Sequence, residues 1–275
     1  NRSLNAFQQS IYEVKHNRIG FNTTDGRECS DNHQCVIGDT GKPLSIALIG
    51  DSHAGHLIHN LDELLIEKGL SAKTLTDADI YMEEFPDFYP KNERFNKAAK
   101  ERMNFVYSDE IDTIILSGRY TLRILRAEFD NQEGGIERLQ TANDYHGYTA
   151  EQQEIVEQQI RKSILNLLEA GKQVILVYPI PEVGWNAPEQ YLKLSNELPA
   201  DKLEKDFSSL VTTSYDVYKK RHYQTIQLFD SINHPNLKRI YPDKIFCNTI
   251  VEKRCVTAKD GKILYVDDDH LSIYG

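Results

Sequence analysis

No run of apolar residues in this sequence approaches the ~18 needed to cross a bilayer as a helix. The longest, around Ile114–Leu116 and Val174–Val177, are of strand length. Positive charge is also short: 32 lysines and arginines stand against 42 aspartates and glutamates, a formal net charge of −10. That balance argues against a nucleic-acid partner, because phosphate binding needs a basic stripe to release counterions. Nor does any cluster of Lys or Arg read as a patch for anionic lipid, and a solvated surface accounts for the charge. Internal repeats and low-complexity tracts are missing. Asn1–Ser10 is polar where a secretory leader would be apolar, so the chain reads as a soluble domain excised from a larger protein. Cysteine is sparse, in two local pairs: Cys29 with Cys35, and Cys247 with Cys255. Neither has C-x-x-C spacing and no His lies at zinc-finger distance, so no structural metal is expected.

Four cysteines allow three pairings. Short spacing, with Gly, Asp and Asn nearby, favours Cys29–Cys35 and Cys247–Cys255. Two disulfides would imply an oxidising compartment; the alternative is four unrelated buried thiols in a cytosolic protein. His53, His56 and His59 invite a metal reading, but a spacing of six rotates His59 off the helical face shared by the other two. A cap or packing role beside Ser52 suits His53 better.

What is present is an alternation of strands and helices. At 275 residues the chain fits one large α/β domain, or a domain with an extension, and can remove roughly 70–75% of its unfolded surface from water. Residues 1–43 have weak periodicity and look like an extension, or linker, that contains the first cysteine pair; 44–275 read as the main domain. Leu44–Ile49 is a compact apolar run ending at Gly50, the pattern of a strand buried on both faces. Leu57, Leu61, Leu64 and Leu65 then recur at helical spacing up to Gly69, which stops the helix as a C′ glycine does. Further strands are expected at Ala72–Leu75, Thr113–Leu116, Gln173–Tyr178 and Leu237–Tyr241. Helices are expected behind Phe95, Ala99, Arg102 and Val106, and along Val156, Ile160, Ile164, Leu167 and Leu168. Thr149 and Gln152 have capping-box spacing before that second stripe. Asp206 to about Leu228 reads as one long helix. Such alternation means right-handed crossovers and a three-layer α/β/α sandwich around a central parallel sheet.

Ligands bind such sheets outside the carboxyl ends of the strands. Gly50–Asp51–Ser52–His53 occupies that place on the strongest strand, with Ser52 at the N-terminus of the next helix, where free N–H groups favour a developing oxyanion. Serine needs a base within hydrogen-bond reach. Near the other end, Asp267–Asp268–Asp269–His270 puts a carboxylate three residues before a histidine, a separation that lets Asp267 accept the Nδ1 proton and aim Nε2 at Ser52. Alone, the first segment reads as a turn with a helix cap and the second as a solvated acidic loop; their co-occurrence makes Ser52, Asp267 and His270 a candidate triad. Trp185, in a loop after a strand end with Glu182 and Glu189 nearby, suits loop packing or stacking on a sugar.

Gly50–Asp51–Ser52 resembles the first block of the SGNH (GDSL-like) hydrolases, and Asp267-x-x-His270 their last. With His53–Ala54 and Asp268–Asp269 and Leu271–Ser272 included, the sequence is similar to the SGNH domain fused to membrane acyltransferase-3 proteins, as are the pair Cys247 and Cys255 and the Tyr178–Pro179 strand ending. The likeness runs from about Leu44 to Gly275. It implies an SGNH (flavodoxin-like) fold and O-acetylation of a bacterial surface polysaccharide such as lipopolysaccharide O-antigen through an acyl-serine. It also implies a periplasmic location, a membrane acyltransferase-3 domain in the same parent chain as acetyl donor, and no cofactor. The middle blocks depart from the family: no Gly lies between Gly69 and Gly118, and Ser117–Gly118–Arg119–Tyr120 stands where Gly-x-Asn-Asp is usual. The expected oxyanion hole therefore combines the Ser52 N–H with the Gly118 backbone or the Arg119 side chain, unless Arg119 makes only a surface ion pair. A carbohydrate acetylesterase and a non-catalytic glycan-binding module of the same fold are the rival readings.

Overall fold

The computed structural model describes residues 6–16, 19–29, 34–76, 79–90, 93–137 and 146–275. Strands Val36–Gly38 (β1), Leu44–Gly50 (β2), Ser71–Leu75 (β3), Thr113–Ser117 (β4) and Gln173–Val177 (β5) join one sheet. A short strand Thr212–Ser214 (β6) lies apart, and Leu237–Ile240 (β7) completes the sheet in the order β1-β3-β2-β4-β5-β7. β1 runs antiparallel at the edge and the other five strands are parallel. Counting the parallel strands alone gives the order 2-1-3-4-5, the flavodoxin-like winding, whose direction reverses between β2 and β4.

Side chains alternate along each strand, so the sheet has two apolar faces. Ala47, Ile49, Ile114, Leu116, Val174 and Leu176 pack beneath the helices that follow β3 and β4 in the chain. Ile46, Leu48 and Ile115 pack on the opposite side against Ile58 and Leu65. The helices are Ala6–His16 (α1), Ser52–Gly55 (α2), Ile58–Lys68 (α3), Glu93–Val106 (α4), Tyr120–Leu125 (α5) and Ala150–Glu169 (α6). Ala187–Glu197 (α7), Ala200–Leu210 (α8), Tyr215–Arg221 (α9), Tyr223–Asp230 (α10) and Asp243–Phe246 (α11) follow. α6 carries the expected stripe, with Val156, Ile160, Ile164 and Leu167 fully buried, and both bonds of the Thr149–Gln152 capping box are present. Gly69 ends α3 in the left-handed conformation at φ 63°.

Two helix expectations are corrected. The long helix over Asp206–Leu228 is instead the end of α8, then β6, α9 and α10. Val211, Thr212 and Thr213 form a β-branched run that favours extended backbone. It pairs antiparallel with Arg254–Val256 (β8), and the Ser214 side chain caps the next helix by accepting from Val217 N. The helix behind Ser52 breaks into α2 and α3, and Leu64 faces solvent at 48% exposure. Asp62 takes an inward position in α3, where its carboxylate accepts from Thr24 N (2.8 Å), Thr24 Oγ1 (2.6 Å) and Gly38 N (2.6 Å). A buried carboxylate is tolerable there because the extension supplies its donors.

The residues before β2 thus pack on the rest of the chain: β1 joins the sheet, and Phe21 lies against Gly55 of α2. Disulfides Cys29–Cys35 and Cys247–Cys255 are both formed, with Cα separations of 5.5 and 3.8 Å.

At Gly50 the end of β2 lies tight against β4: a Cβ there would lie 1.6 Å from the Ser117 carbonyl oxygen. Its own carbonyl accepts from the buried Arg102 guanidinium at 3.0 Å. Gly50→Ala is therefore expected to destabilise the protein by about 3 kcal/mol, since neither strand can yield. Chemical denaturation measures this, and a loss below about 1 kcal/mol would mean the strands can part.

Candidate active site

Ser52 is half-buried and begins α2 directly after Gly50 and Asp51. Asp51 caps the helix by accepting from His53 N (2.9 Å), and its second oxygen accepts from Arg119 N (3.0 Å). One carboxylate thus joins the ends of β2 and β4 across the switch point. Burial alone would raise its pKa, but the charges of His53 and Arg123 and the two amide donors hold it below the usual range.

Asp267 and His270 meet in a tight turn. The His270 Nδ1 lies 3.0 Å from each Asp267 oxygen, and Asp267 Oδ1 also accepts from the backbone N–H of His270 (2.8 Å) and Asp269 (3.2 Å). The turn docks on the Ser52 segment: Leu271 N donates to His56 Nδ1 (3.2 Å), and the His270 ring centroid lies 5.5 Å from that of His53. Phe21, from the extension, packs 5.8 Å from the His270 ring. His270 Nε2 is buried without a hydrogen-bond partner, so a Ser52–His270 hydrogen bond is not made in this structure.

Asp269, which the sequence offered only as part of an acidic run, also enters the site. Its Oδ1 lies 2.9 Å from His270 Nδ1, while its Oδ2 contacts His53 Nε2 (3.0 Å) and Arg119 Nη1 (3.0 Å). Burial would pull the His270 pKa down, yet the Asp269 charge and the hydrogen bonds to both aspartates push it up to about 10. His53 is thus both a capping donor and a buried partner of Asp269.

Arg119 is no surface residue: its side chain is 8% exposed. Its Nη1 and Nη2 hold Glu137 (2.7 and 2.6 Å), and Nη2 also holds Glu182 (2.5 Å). The two terminal nitrogens are therefore committed to Glu137, Glu182 and Asp269, while Nε is buried and unpartnered. Arg221 Nε pairs with the second oxygen of Glu182 (3.0 Å). Against the cost of burial, Arg221 and Arg119 bring Glu182 down to about 2. No periodicity or motif marks Glu137, Glu182 or Arg221; they become a unit only when the segments after β4 and β5 meet the end of α9.

Two groups of potential metal ligands arise among the described residues: His53, Asp269 and His270, and Glu137, Asp268 and Asp269. The Arg119 guanidinium already supplies positive charge to Glu137 and Asp269, so those carboxylates are compensated without a cation. Among the described residues no helix is long and apolar enough to cross a membrane.

A Ser, a His with a free buried nitrogen and a carboxylate on its other nitrogen, at the carboxyl end of a parallel sheet, form the parts list of nucleophilic acyl transfer. A family model described as the SGNH domain (fused to AT3 domains) matches residues 21–275. Among solved structures, the chain is similar to the periplasmic domain of the lipopolysaccharide acetyltransferase of Salmonella ser. Paratyphi A. The two are 17% identical with a TM-score of 0.51, over 85% of this chain and 79% of that one, a likeness of fold. No curated protein matches the chain.

Proposed function

The chain belongs to the family of SGNH domains that occur fused to AT3 domains, and we propose that it transfers acetyl groups to a bacterial surface polysaccharide through an acetyl-Ser52 intermediate. The observation that carries this reading is the Asp267–His270 pair, docked beside the Ser52 segment with Nε2 unpartnered.

In this mechanism Ser52 Oγ attacks the acetyl carbonyl as His270 Nε2 takes its proton. The donor's leaving group departs with that proton. A sugar hydroxyl then gives its proton to His270 and attacks the acetyl-serine, and the proton returns to Ser52. Asp267 holds the ring in orientation. The developing oxyanion is met by the backbone N–H of Ser52 and the Gly118 backbone, since the terminal nitrogens of Arg119 are engaged by carboxylates. The acetyl group arrives as substrate, handed over by a membrane acyltransferase-3 domain at the periplasmic face, so the reaction needs no cofactor. Water in place of the sugar makes the same site an esterase.

Incubation with p-nitrophenyl acetate, followed by peptide mass analysis, tests the reading. An acetyl group on the peptide carrying Ser52, passed to an added oligosaccharide, is the expected result. Neither acetylated peptide nor acetate release above background would reject it.

The raised pKa of His270 has a measurable consequence. The charged ring is favoured well above its ordinary range, so the base form is the minor one at neutral pH. kcat/KM is therefore expected to climb as pH rises from about 7 to about 9. Asp269→Asn removes a carboxylate 2.9 Å from Nδ1 and should move that limb down by about one to three pH units. A limb that stays in place would show that Asp269 does not govern the base.

A further inference from the structure

We infer that the cleft walled by Trp185 is the subsite that holds the acceptor glycan, stacking a neutral sugar ring on the indole; this rests on the acyl-transfer reading above. The cleft encloses about 390 Å³ and is lined by Trp185, Gln190, Lys193, Glu197, Glu133 and Arg254 among others. Its charged lining balances, with two acidic and two basic side chains. Arg254 and Glu133 also neutralise each other through paired contacts of 2.5 and 2.8 Å. A flat aromatic wall beside amide, ammonium and carboxylate groups suits a pyranose: apolar C–H face against the ring, hydroxyls towards the polar groups.

The wall is built rather than incidental. Asn131 is fully buried and clamps the loop, with Nδ2 donating to Val183 O (2.9 Å) and Oδ1 accepting from Glu133 N (2.8 Å) and Gly135 N (2.9 Å). Gly135 lies so close that a Cβ there would come 2.7 Å from the indole Nε1. Gly184, at φ 74°, allows the turn that presents Trp185, and a Cβ there would come 2.9 Å from Gly135 O. The indole is therefore held in place before any ligand arrives, which lowers the ordering cost of binding.

The same loop is one wall of the catalytic turn. Val183 N donates to Asp268 O (2.8 Å) and Ala187 N to Asp267 O (3.1 Å), while Tyr265 Oη donates to Pro181 O (2.8 Å). The loop that presents Trp185 to the cleft is therefore tied to the turn that carries Asp267 and His270.

Trp185 is the sole tryptophan of the chain, so its emission reports on the cleft without any catalysis. The Ser52→Ala protein is titrated with hexasaccharide fragments of a neutral rhamnan, galactan and mannan. A saturable emission change with at least one is expected. In the protein with Ser52 intact, Trp185→Ala is expected to lower the partition of acetyl-serine between sugar and water about tenfold in favour of water. That ratio does not depend on how fast the acetyl-serine forms. Emission unmoved by all three fragments, or an unchanged partition ratio, overturns the subsite. Absence of any acetyl-serine would instead reject the acyl-transfer reading, with the titration still reading the cleft by itself.

Discussion

Ser52→Ala is expected to abolish acetyl transfer, with kcat falling at least about ten-thousand-fold and the fold intact. Ser52 is half-buried on the surface of the switch point, and no hydrogen bond from its hydroxyl contributes to the packing there, so the change to alanine removes the attacking oxygen and little else. Unfolding by denaturant should give the same midpoint as wild type. His270→Ala should cost a comparable factor, and the double variant little more, because nucleophile and base act as one unit. Acetate release from p-nitrophenyl acetate, with and without oligosaccharide, measures all three. Activity retained in Ser52→Ala would place the nucleophile elsewhere. A wild type with no turnover that still binds oligosaccharide would make the domain a glycan-binding module.

The second large effect falls on stability. Arg119→Gln leaves Glu137 buried without its cation, while Glu182 keeps Arg221 and Asp269 keeps His270 as partners. Removing one side of a buried ion pair costs about 3–5 kcal/mol because the remaining charge is left uncompensated. For a chain of this size that lowers Tm by on the order of 10 °C. Adding Glu137→Gln should recover part of the loss, since it removes the orphaned charge. A midpoint shift below about 1 kcal/mol in Arg119→Gln would mean that water or protonation relieves the cluster. The network also sets an acid limit. Glu182 is depressed below its unfolded value, so its contribution is complete above the ordinary glutamate range of about 4.3. It is lost as pH falls through about 2.

Much of this was legible in the sequence, for reasons that can be named. β2 and α6 follow from periodicity, and Gly50, Gly69 and the Thr149–Gln152 pair mark ends that local geometry dictates. Asp267 and His270 are three residues apart, so their meeting is a local event, and the Ser52 turn is set by the strand before it. The long helix gives way at Thr212–Ser214 because a strand partner from β8, 40 to 44 residues away, decides the conformation there. Asp269 was hidden in an acidic run whose members look alike in sequence; burial and the approach of His53 and Arg119 single it out. Glu137 and Glu182 carry no local signal. Their role is defined by the Arg119 guanidinium, which reaches both of them from the end of β4.

His53 and Asp269 touch across 216 positions of sequence, and Leu271 reaches His56 across 215. Closing a loop that long costs about 5 kcal/mol of chain entropy before any contact is made. Until the sheet has brought both segments to the same edge, the proposed nucleophile Ser52 and the proposed base His270 are apart. The site therefore has a timer built into its connectivity: a chain that has not yet folded carries every reactive residue and yet stays chemically silent.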